Sequence, residues 1–435
     1  MRVNKTFINY FIIGAILSFL TFFTVSCSKQ SAASSTQSPD KIENAEPASS
    51  TNPQVKAALE MIDKTPDAPL GYSLLALSYI KLARESGDFS LNSKAETAVN
   101  RALEIEPENA NAKKIQTSLL LTFHRFSDAL EAATKLQQEY PQDAVVYGAL
   151  TDANVELGNY DEAAKNVQKM VDLRPNMESY TRVSHVRSLY GDTIGAIEAM
   201  GTAAQIADPA DKEARAWCRV YLGHEYFKAG QFTNAEAAYD LALRIFPEYH
   251  LALAAKGQAR MAAGDYENAI KFLTQSQERV PLTATIISLG DVYTKIGETE
   301  KAQKQYDLAG FIEQKLGNID QRTLALLWAD HDTKLDEALA IAEKEHATRK
   351  DIFTADIYAW CLYKKGDFQA AQKAINEAMR LKTKDARFFY HAGMIEKGLG
   401  NAKAAKDYLK KALDLNPSFD ILQAEKAKMA LKELN

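Results

Sequence analysis

The sequence has very few cysteines, and this excludes two ways of holding a chain together. Only 3 of its 435 residues are cysteine, which is too few for a framework of disulfides. Cys27, Cys218 and Cys361 lie far apart in the sequence, so the paired spacing of a structural zinc site is also absent. Neither disulfides nor zinc is therefore expected to stabilise the fold.

Basic charge and catalytic sequence motifs are scarce as well. The formal net charge is −5, whereas a protein that grips the nucleic-acid backbone needs a basic face. The sequence contains no phosphate-binding loop, no GxSxG elbow and no dinucleotide fingerprint. We therefore predict that the protein is not an enzyme, needs no cofactor or metal, and does not bind nucleic acid.

Two groups of reactive side chains have structural interpretations. Asp330-His331-Asp332 is the densest set of metal-ligand types, but adjacent side chains point in different directions. We interpret it as a turn in which Asp332 caps the next helix. Cys218 and Cys361 are separated by 361 − 218 = 143 residues, and export would place them in an oxidising compartment. We still expect them to be buried, unpaired thiols.

One long apolar run is present, at the N-terminus. Residues 11–25 carry no charge and follow Arg2 and Lys5, a pattern typical of a secretory signal peptide. The small residues before Cys27 resemble a bacterial lipobox, which implies that residues 1–26 are a lipoprotein-type signal and that Cys27 is lipidated. Two alternatives are a chance cysteine after an ordinary signal and a signal anchor that is not cleaved.

Residues 27–53 lack what a folded core requires. Ser28 to Pro53 contains seven serines, three prolines and one large aliphatic residue, Ile42. Such a segment buries too little apolar surface to fold, so we expect a disordered tether. Together with the signal, it predicts a lipid-anchored protein of the bacterial cell envelope that faces the periplasm or the cell surface.

Proline recurs at a regular interval in the rest of the chain. The prolines beyond residue 100 are Pro107, Pro141, Pro175, Pro209, Pro247, Pro281 and Pro417. Their spacings are 34, 34, 34, 38, 34 and 136 residues, and 136 is four times 34. A fixed period of this length indicates a solenoid of stacked supersecondary units.

Glycine and alanine recur in the same phase as proline. Glycine precedes the closing proline by 17 residues at Gly158, Gly230, Gly264 and Gly400, and alanine precedes it by 12 at Ala95, Ala129, Ala163, Ala235, Ala269 and Ala405. Glycine ends a helix by adopting the left-handed conformation. Alanine permits a close helix approach, and proline closes the unit because it cannot continue a helix. Each unit is therefore predicted to be a pair of helices.

This pattern resembles the tetratricopeptide repeat. The resemblance implies an all-α, right-handed superhelical solenoid of helix-turn-helix units, with about ten copies in residues 54–417. The copies that end near Lys315 and Arg349 lack the proline and are degenerate. Residues 418–435 resemble the C-terminal capping helix of such arrays, whose polar side chains keep the open end soluble.

The resemblance also implies a binding surface on the concave side, formed by the first helix of each pair. Registering the copies by their glycines places these side chains there: Trp217, His224, Phe227, Lys228, Gln258, Asp291, Lys295, Trp360, Tyr363, Arg387 and Tyr390. Trp, Tyr and Arg often carry most of the binding energy of an interface. We therefore predict a membrane-tethered scaffold that holds a peptide or helix of another cell-envelope protein in this groove.

The alternative is a structural spacer, or an assembly subunit of an envelope complex, with no groove ligand. The two interpretations differ in what they require of Trp217, Phe227, Trp360 and Tyr390. An open groove lined by these aromatic residues favours binding, whereas aromatic residues sealed between helices favour the spacer.

Overall fold

A computed structural model describes residues 52–316 and 321–434. The predicted signal peptide, Cys27 and nearly all of the predicted tether lie outside the described residues. The described part contains 22 α-helices and no strand. Within these residues, no helix combines the length and the apolar composition that are needed to cross a bilayer.

The helices follow the predicted pairs. In the first half of the chain they are α1 (Pro53–Lys64), α2 (Pro69–Ser86), α3 (Leu91–Ile105), α4 (Ala110–Thr122), α5 (Phe126–Glu139), α6 (Ala144–Glu156), α7 (Tyr160–Leu173), α8 (Met177–Leu189), α9 (Thr193–Ile206), α10 (Lys212–Lys228) and α11 (Phe232–Ile245). In the second half they are α12 (His250–Ala262), α13 (Tyr266–Arg279), α14 (Thr283–Lys295), α15 (Thr299–Leu316), α16 (Arg322–Asp330), α17 (Leu335–Thr348), α18 (Ile352–Lys364), α19 (Phe368–Ala378), α20 (Ala386–Gly398), α21 (Ala402–Leu415) and α22 (Gln423–Glu433).

Ten successive pairs, from α2–α3 to α20–α21, make up the repeat array, with α1 before it and α22 after it. Each helix packs against the next helix in sequence, and the first helices of neighbouring pairs also touch. The prediction of an all-α repeat solenoid is therefore confirmed. The degenerate eighth pair has a short first helix of nine residues, α16.

The recurring small residues act as the sequence predicted. Gly158 and Gly264 sit in the turns within their pairs with φ of +76° and +75°, a conformation that costs other residues energy. Ala163 and Ala269 are fully buried at the start of the second helices. Gly257 has no room for a side chain, because a Cβ there would lie 2.6 Å from Leu273 Cγ. The recurring glycines and alanines thus mark the turns and the positions at which helices pack most closely.

The turn at Asp330-His331-Asp332 differs in one detail from the prediction. The three residues do end one helix and lead to the next, but α17 begins after Lys334, which has left-handed backbone geometry and makes no side-chain cap. Asp332 also has a positive φ of 55°, and its carboxylate accepts a 2.7 Å hydrogen bond from Lys364 Nζ. Asp332 therefore links neighbouring pairs instead of capping the helix.

The solenoid coils so tightly that distant pairs touch. The Ile352 N–H donates a 2.8 Å hydrogen bond to the Tyr160 hydroxyl oxygen, 192 residues earlier. Asn416 Nδ2 donates a 3.0 Å hydrogen bond to the Phe227 carbonyl oxygen, 189 residues earlier. A separation of about 190 residues, divided by the 34-residue period, corresponds to about 5.6 helix pairs in each superhelical turn.

Candidate functional site: the inner face of the solenoid

The first helices of the pairs supply the inner face, and equivalent positions on them can be counted back from the turn glycines. The residue six positions before each glycine forms a series of Asp152, His185, His224, Gln258, Asp291, Trp360 and Met394. These side chains have very different surroundings along the coil. Asp152 and Trp360 are buried, whereas the other members of the series are half-buried.

The central part of the face is formed by α10 and is rich in aromatic side chains. Trp217 stacks on Tyr221 with ring centroids 4.0 Å apart, and Phe227 meets the edge of Phe232 at 5.2 Å. Trp217, Tyr221 and Phe227 are all half-buried. Part of each ring therefore remains available at one stretch of the face, which suits contact with an apolar side chain.

Next to these rings lie a neutral histidine and an accessible lysine. His224 Nδ1 is 3.1 Å from the Tyr239 hydroxyl, and desolvation by the surrounding helices, aided by the charge of Lys228, lowers the pKa of His224 to about 3. Lys228 leaves 45% of its side chain exposed and lies 2.9 Å from Glu225. Desolvation opposes its charge, but Glu225 and then Asp385 outweigh this, so the pKa of Lys228 is raised.

The next predicted residues are increasingly engaged by the chain itself. Gln258 on α12 is half-buried. The Asp291 carboxylate accepts a 2.8 Å hydrogen bond from the Tyr306 hydroxyl and lies 3.1 Å from His331 Nε2. Lys295 is paired with Glu425 of α22. From α14 onward, the inner face is therefore satisfied by internal partners.

Trp360 and Tyr390 do not line an open groove. Their exposed fractions are 0% and 1%, and the Trp360 indole N–H donates a 2.9 Å hydrogen bond to Asp330 Oδ1. The Tyr390 hydroxyl donates a 3.0 Å hydrogen bond to Gln423 Oε1 of the C-terminal helix. These two predicted contact residues belong to the core, because α16, α18, α20 and α22 converge around them.

Two further predicted residues, Tyr363 and Arg387, are half-buried at the edge of this core. Tyr363 stacks on Trp360 with centroids 4.9 Å apart. Desolvation opposes the charge of Arg387, but nearby carboxylates, led by Asp385 and Asp330, raise its pKa. Their surroundings are acidic and packed, which leaves little of either side chain for a ligand.

Sequence reasoning missed His185 and Ser188 of the central face. Both are half-buried, and Ser188 Oγ donates a 2.9 Å hydrogen bond to Glu225 Oε2. Gly191 precedes the proline of that copy, Pro209, by 18 residues instead of 17, so this copy falls outside the glycine series from which the register was built. Counting six residues back from Gly191 finds His185 directly.

Neither a metal centre nor a reactive thiol is found among the described residues. In residues 52–316 and 321–434, no group of three or more His, Cys, Asp or Glu side chains could hold a metal ion. Cys218 and Cys361 are free and buried, as predicted, and burial raises the pKa of Cys361 to about 12.

Comparison with known proteins agrees with this architecture. Residues 221–282 and 386–419 match models of the tetratricopeptide repeat. None of the curated proteins matches the chain at a significant level. Similar solved structures include the APC/C hetero-tetramer Cut9–Hcn1, at 18% identity over 88% of this chain and 67% of that chain, with a TM-score of 0.48.

Two further similar structures are matched over more than nine-tenths of their own length. Yeast Tom70 is 15% identical over 87% of this chain and 92% of its own, with a TM-score of 0.39. A tetratricopeptide repeat protein from Parabacteroides merdae is 18% identical over 59% of this chain and 98% of its own, with a TM-score of 0.34. At such low identities and TM-scores, none of these structures indicates a ligand for this chain.

Proposed function

We propose that this chain, a tetratricopeptide repeat protein, is a protein-binding scaffold whose central inner face, on α10 and α12, holds a segment of another protein. The observation that carries the proposal is the contrast along the inner face. Trp217, Phe227 and Lys228 keep accessible surface together on α10, whereas Trp360 and Tyr390, at other positions of later first helices, are sealed.

The chemistry of the central face suits a peptide segment or a helix. Half-buried Trp217 and Phe227 offer apolar ring surface of the kind that anchors an interface. Gln258 and the neutral His224 can donate and accept hydrogen bonds, which lets them satisfy the backbone or amide groups of a bound segment. Lys228 is already paired with Glu225, so we expect aromatic contacts to dominate the affinity.

The proposal is tested with the full-length chain and the protein that co-purifies with it after cross-linking. Trp217→Ala should weaken binding by about tenfold or more, since removing an interface hot spot costs ~2 kcal/mol. Lys271→Ala, at an exposed position on the second helix of a pair, α13, is the matched control and should bind normally. Equal binding by both variants, with native helical content, would exclude the central face as the site.

The same proposal includes an N-terminal lipid anchor that places the scaffold in a bacterial cell envelope. It is supported by the charged n-region, the apolar run and the small residues before Cys27. Metabolic labelling with an alkyne-tagged fatty acid tests the anchor. We expect the label on the native chain and its loss in Cys27→Ser, while an unlabelled native chain would show that the signal is of another kind.

The second candidate function, a structural spacer, draws on the burial of Trp360 and Tyr390. In this role the outer surface makes the contacts, and exposed apolar side chains such as Ile194 and Phe311 are available there. Ile194→Ser would then reduce assembly while Trp217→Ala would not. The scaffold proposal predicts the reverse order of effects.

A further inference from the structure

The two turns of the superhelix meet along a repeated line of contacts, which we call the seam. On one side of the seam are the turns within the early pairs, and on the other are the linkers that follow later pairs. The partners are Gly87 and Val280, Glu156 and Arg349, Tyr160 and Ile352, Leu189 and Thr383, and Phe227 and Asn416. Their separations stay between 189 and 194 residues, so the seam is a regular product of the coiling.

Hydrogen bonds in the seam reach backbone carbonyl groups at the ends of first helices. The Thr383 hydroxyl donates to the Leu189 carbonyl oxygen, and Asn416 Nδ2 donates to the Phe227 carbonyl oxygen. Both carbonyls lie in the last turn of a first helix, and the Phe227 carbonyl oxygen also accepts a 3.0 Å hydrogen bond from the Gly230 N–H. The late linkers therefore add hydrogen bonds to the ends of early first helices.

Glycine is required at the seam for a second reason besides its backbone conformation. A Cβ on Gly158 would overlap the Lys350 carbonyl oxygen, and a Cβ on Gly191 would lie 2.6 Å from the Lys382 carbonyl oxygen. The turn glycines Gly264 and Gly366 have the same positive φ, but nothing lies within 4 Å of the Cβ position. The same structural position is thus tightly packed in the seam and open elsewhere.

The seam combines a buried ion pair with an apolar core that both superhelical turns share, in which Val155 and Leu189 cluster with Ile352 and Phe388. Buried Glu156 pairs with Arg349, which also lies 3.6 Å from Asp351. A cleft of about 220 Å³, partly open to solvent, lies beside this ion pair, between residues 124–128 and 344–349. A shared apolar core of this kind holds two parts of a chain together, so the closed form dominates.

The seam also borders the central inner face. Asn416 donates a hydrogen bond to the carbonyl oxygen of Phe227. The negative charge of Asp385, just before α20, contributes to the raised pKa of Lys228. Both contacted residues belong to the stretch of α10 that carries the proposed binding site. The second superhelical turn therefore covers one side of that stretch.

We infer that the seam is a latch that holds the solenoid closed and that a protein partner gains full access to the central inner face when the two superhelical turns separate. The gating part rests on the proposed function, whereas the latch itself does not. If most molecules are closed, the apparent affinity for the partner is the intrinsic affinity multiplied by the small fraction of molecules that are open. Weakening the latch should then increase partner affinity.

The latch is tested by a distance measurement across the seam in the full chain without a partner. Spin labels are attached at Lys165→Cys on α7 and Lys373→Cys on α19, both exposed, while the native thiols of Cys218 and Cys361 are buried. In the double variant Gly158→Ala/Gly191→Ala, we expect the distance distribution to shift to longer values. The matched control Gly264→Ala/Gly366→Ala carries the same backbone strain and should keep the native distribution.

Each result decides one part of the inference. An unchanged distance in the seam variant, or an equal shift in the control, overturns the latch. If Cys218 and Cys361 become reactive, the variant has unfolded, and Thr383→Val takes its place because it removes a seam hydrogen bond without adding bulk. A longer distance with unchanged partner affinity overturns the gating alone, and the proposed site itself stands or falls with Trp217→Ala.

Discussion

The Trp360→Ala variant tests most clearly whether Trp360 belongs to the core or to a binding surface. Trp360 is fully buried, stacks on His391 with centroids 4.2 Å apart, and donates a hydrogen bond to Asp330. Truncation of a buried Trp typically costs ~3–5 kcal/mol in the free energy of unfolding. Loss of the donor to the half-buried Asp330 carboxylate adds ~1 kcal/mol. We expect a total loss of about 4–6 kcal/mol.

The assay is urea unfolding of the full chain, followed by circular dichroism at 222 nm. Because the last pairs can unfold separately from the first ones, hydrogen exchange of residues 322–433 should accompany it. Trp217→Ala is the matched control, since a half-buried ring that is removed should cost about half as much as a buried one. A loss below ~1 kcal/mol for Trp360→Ala, or a larger loss for Trp217→Ala, would refute the assignment of Trp360 to the core.

Three other predictions concern protonation, thiol reactivity and backbone entropy. Burial lowers the pKa of His250 to about 4 and that of His224 to about 3, so acid protonates these histidines mainly in the unfolded chain. Each should remove ~1.4 kcal/mol of stability per pH unit below about 6.5. Burial raises the pKa of Glu156 and of Asp330 to about 6, and these carboxyls oppose the histidines more weakly. The urea midpoint should therefore be lower at pH 5.5 than at pH 7.5. Native Cys361 should resist thiol reagents until urea unfolds the chain, as followed by labelling and mass spectrometry. Gly201→Ala, inside α9 with nothing within 4 Å of its Cβ position, should stabilise the chain by about 0.5–1 kcal/mol in urea unfolding.

Matched variants make these outcomes decisive. His250→Gln should reduce the slope of the free energy of unfolding against pH by about 1.4 kcal/mol per pH unit below pH 6.5. An unchanged slope would contradict the lowered pKa of His250. Rapid labelling of Cys361 in the native chain would contradict its burial. Gly223→Ala should destabilise the chain, because a Cβ there would overlap the Tyr239 ring; a gain in stability from Gly223→Ala would show that the packing around α10 is looser than described.

The sequence predicts the helix pairs well because the features that define them are local. A turn glycine such as Gly264 and a helix-contact alanine such as Ala269 must occupy fixed places within one pair. Their physical roles repeat with the 34-residue period, so the period is visible in the sequence. Ten pairs and a final helix follow directly from it.

The curvature of the coil is not visible in the same way. Whether Trp360 lines a groove or fills the core depends on how closely α16, α18, α20 and α22 converge. The contacts that accompany this tight coiling, such as that of Asn416 with Phe227, join residues 189 apart. The residue types that make these contacts do not recur with the 34-residue period, so they cannot be recognised in the sequence. For this reason the sequence placed Trp360 and Trp217 in one groove, while the structure buries the first and leaves the second half-buried.

The most direct test of the scaffold is site-specific photo-cross-linking in cells that make the full chain. A photoactivatable residue at Gln258 would lie on the central inner face, and one at Lys271 would lie on the second helix of the same pair. We predict that the Gln258 probe captures one defined protein and that the Lys271 probe captures none. Capture at position 271 with no product at position 258 would contradict binding at the inner face and would favour the spacer.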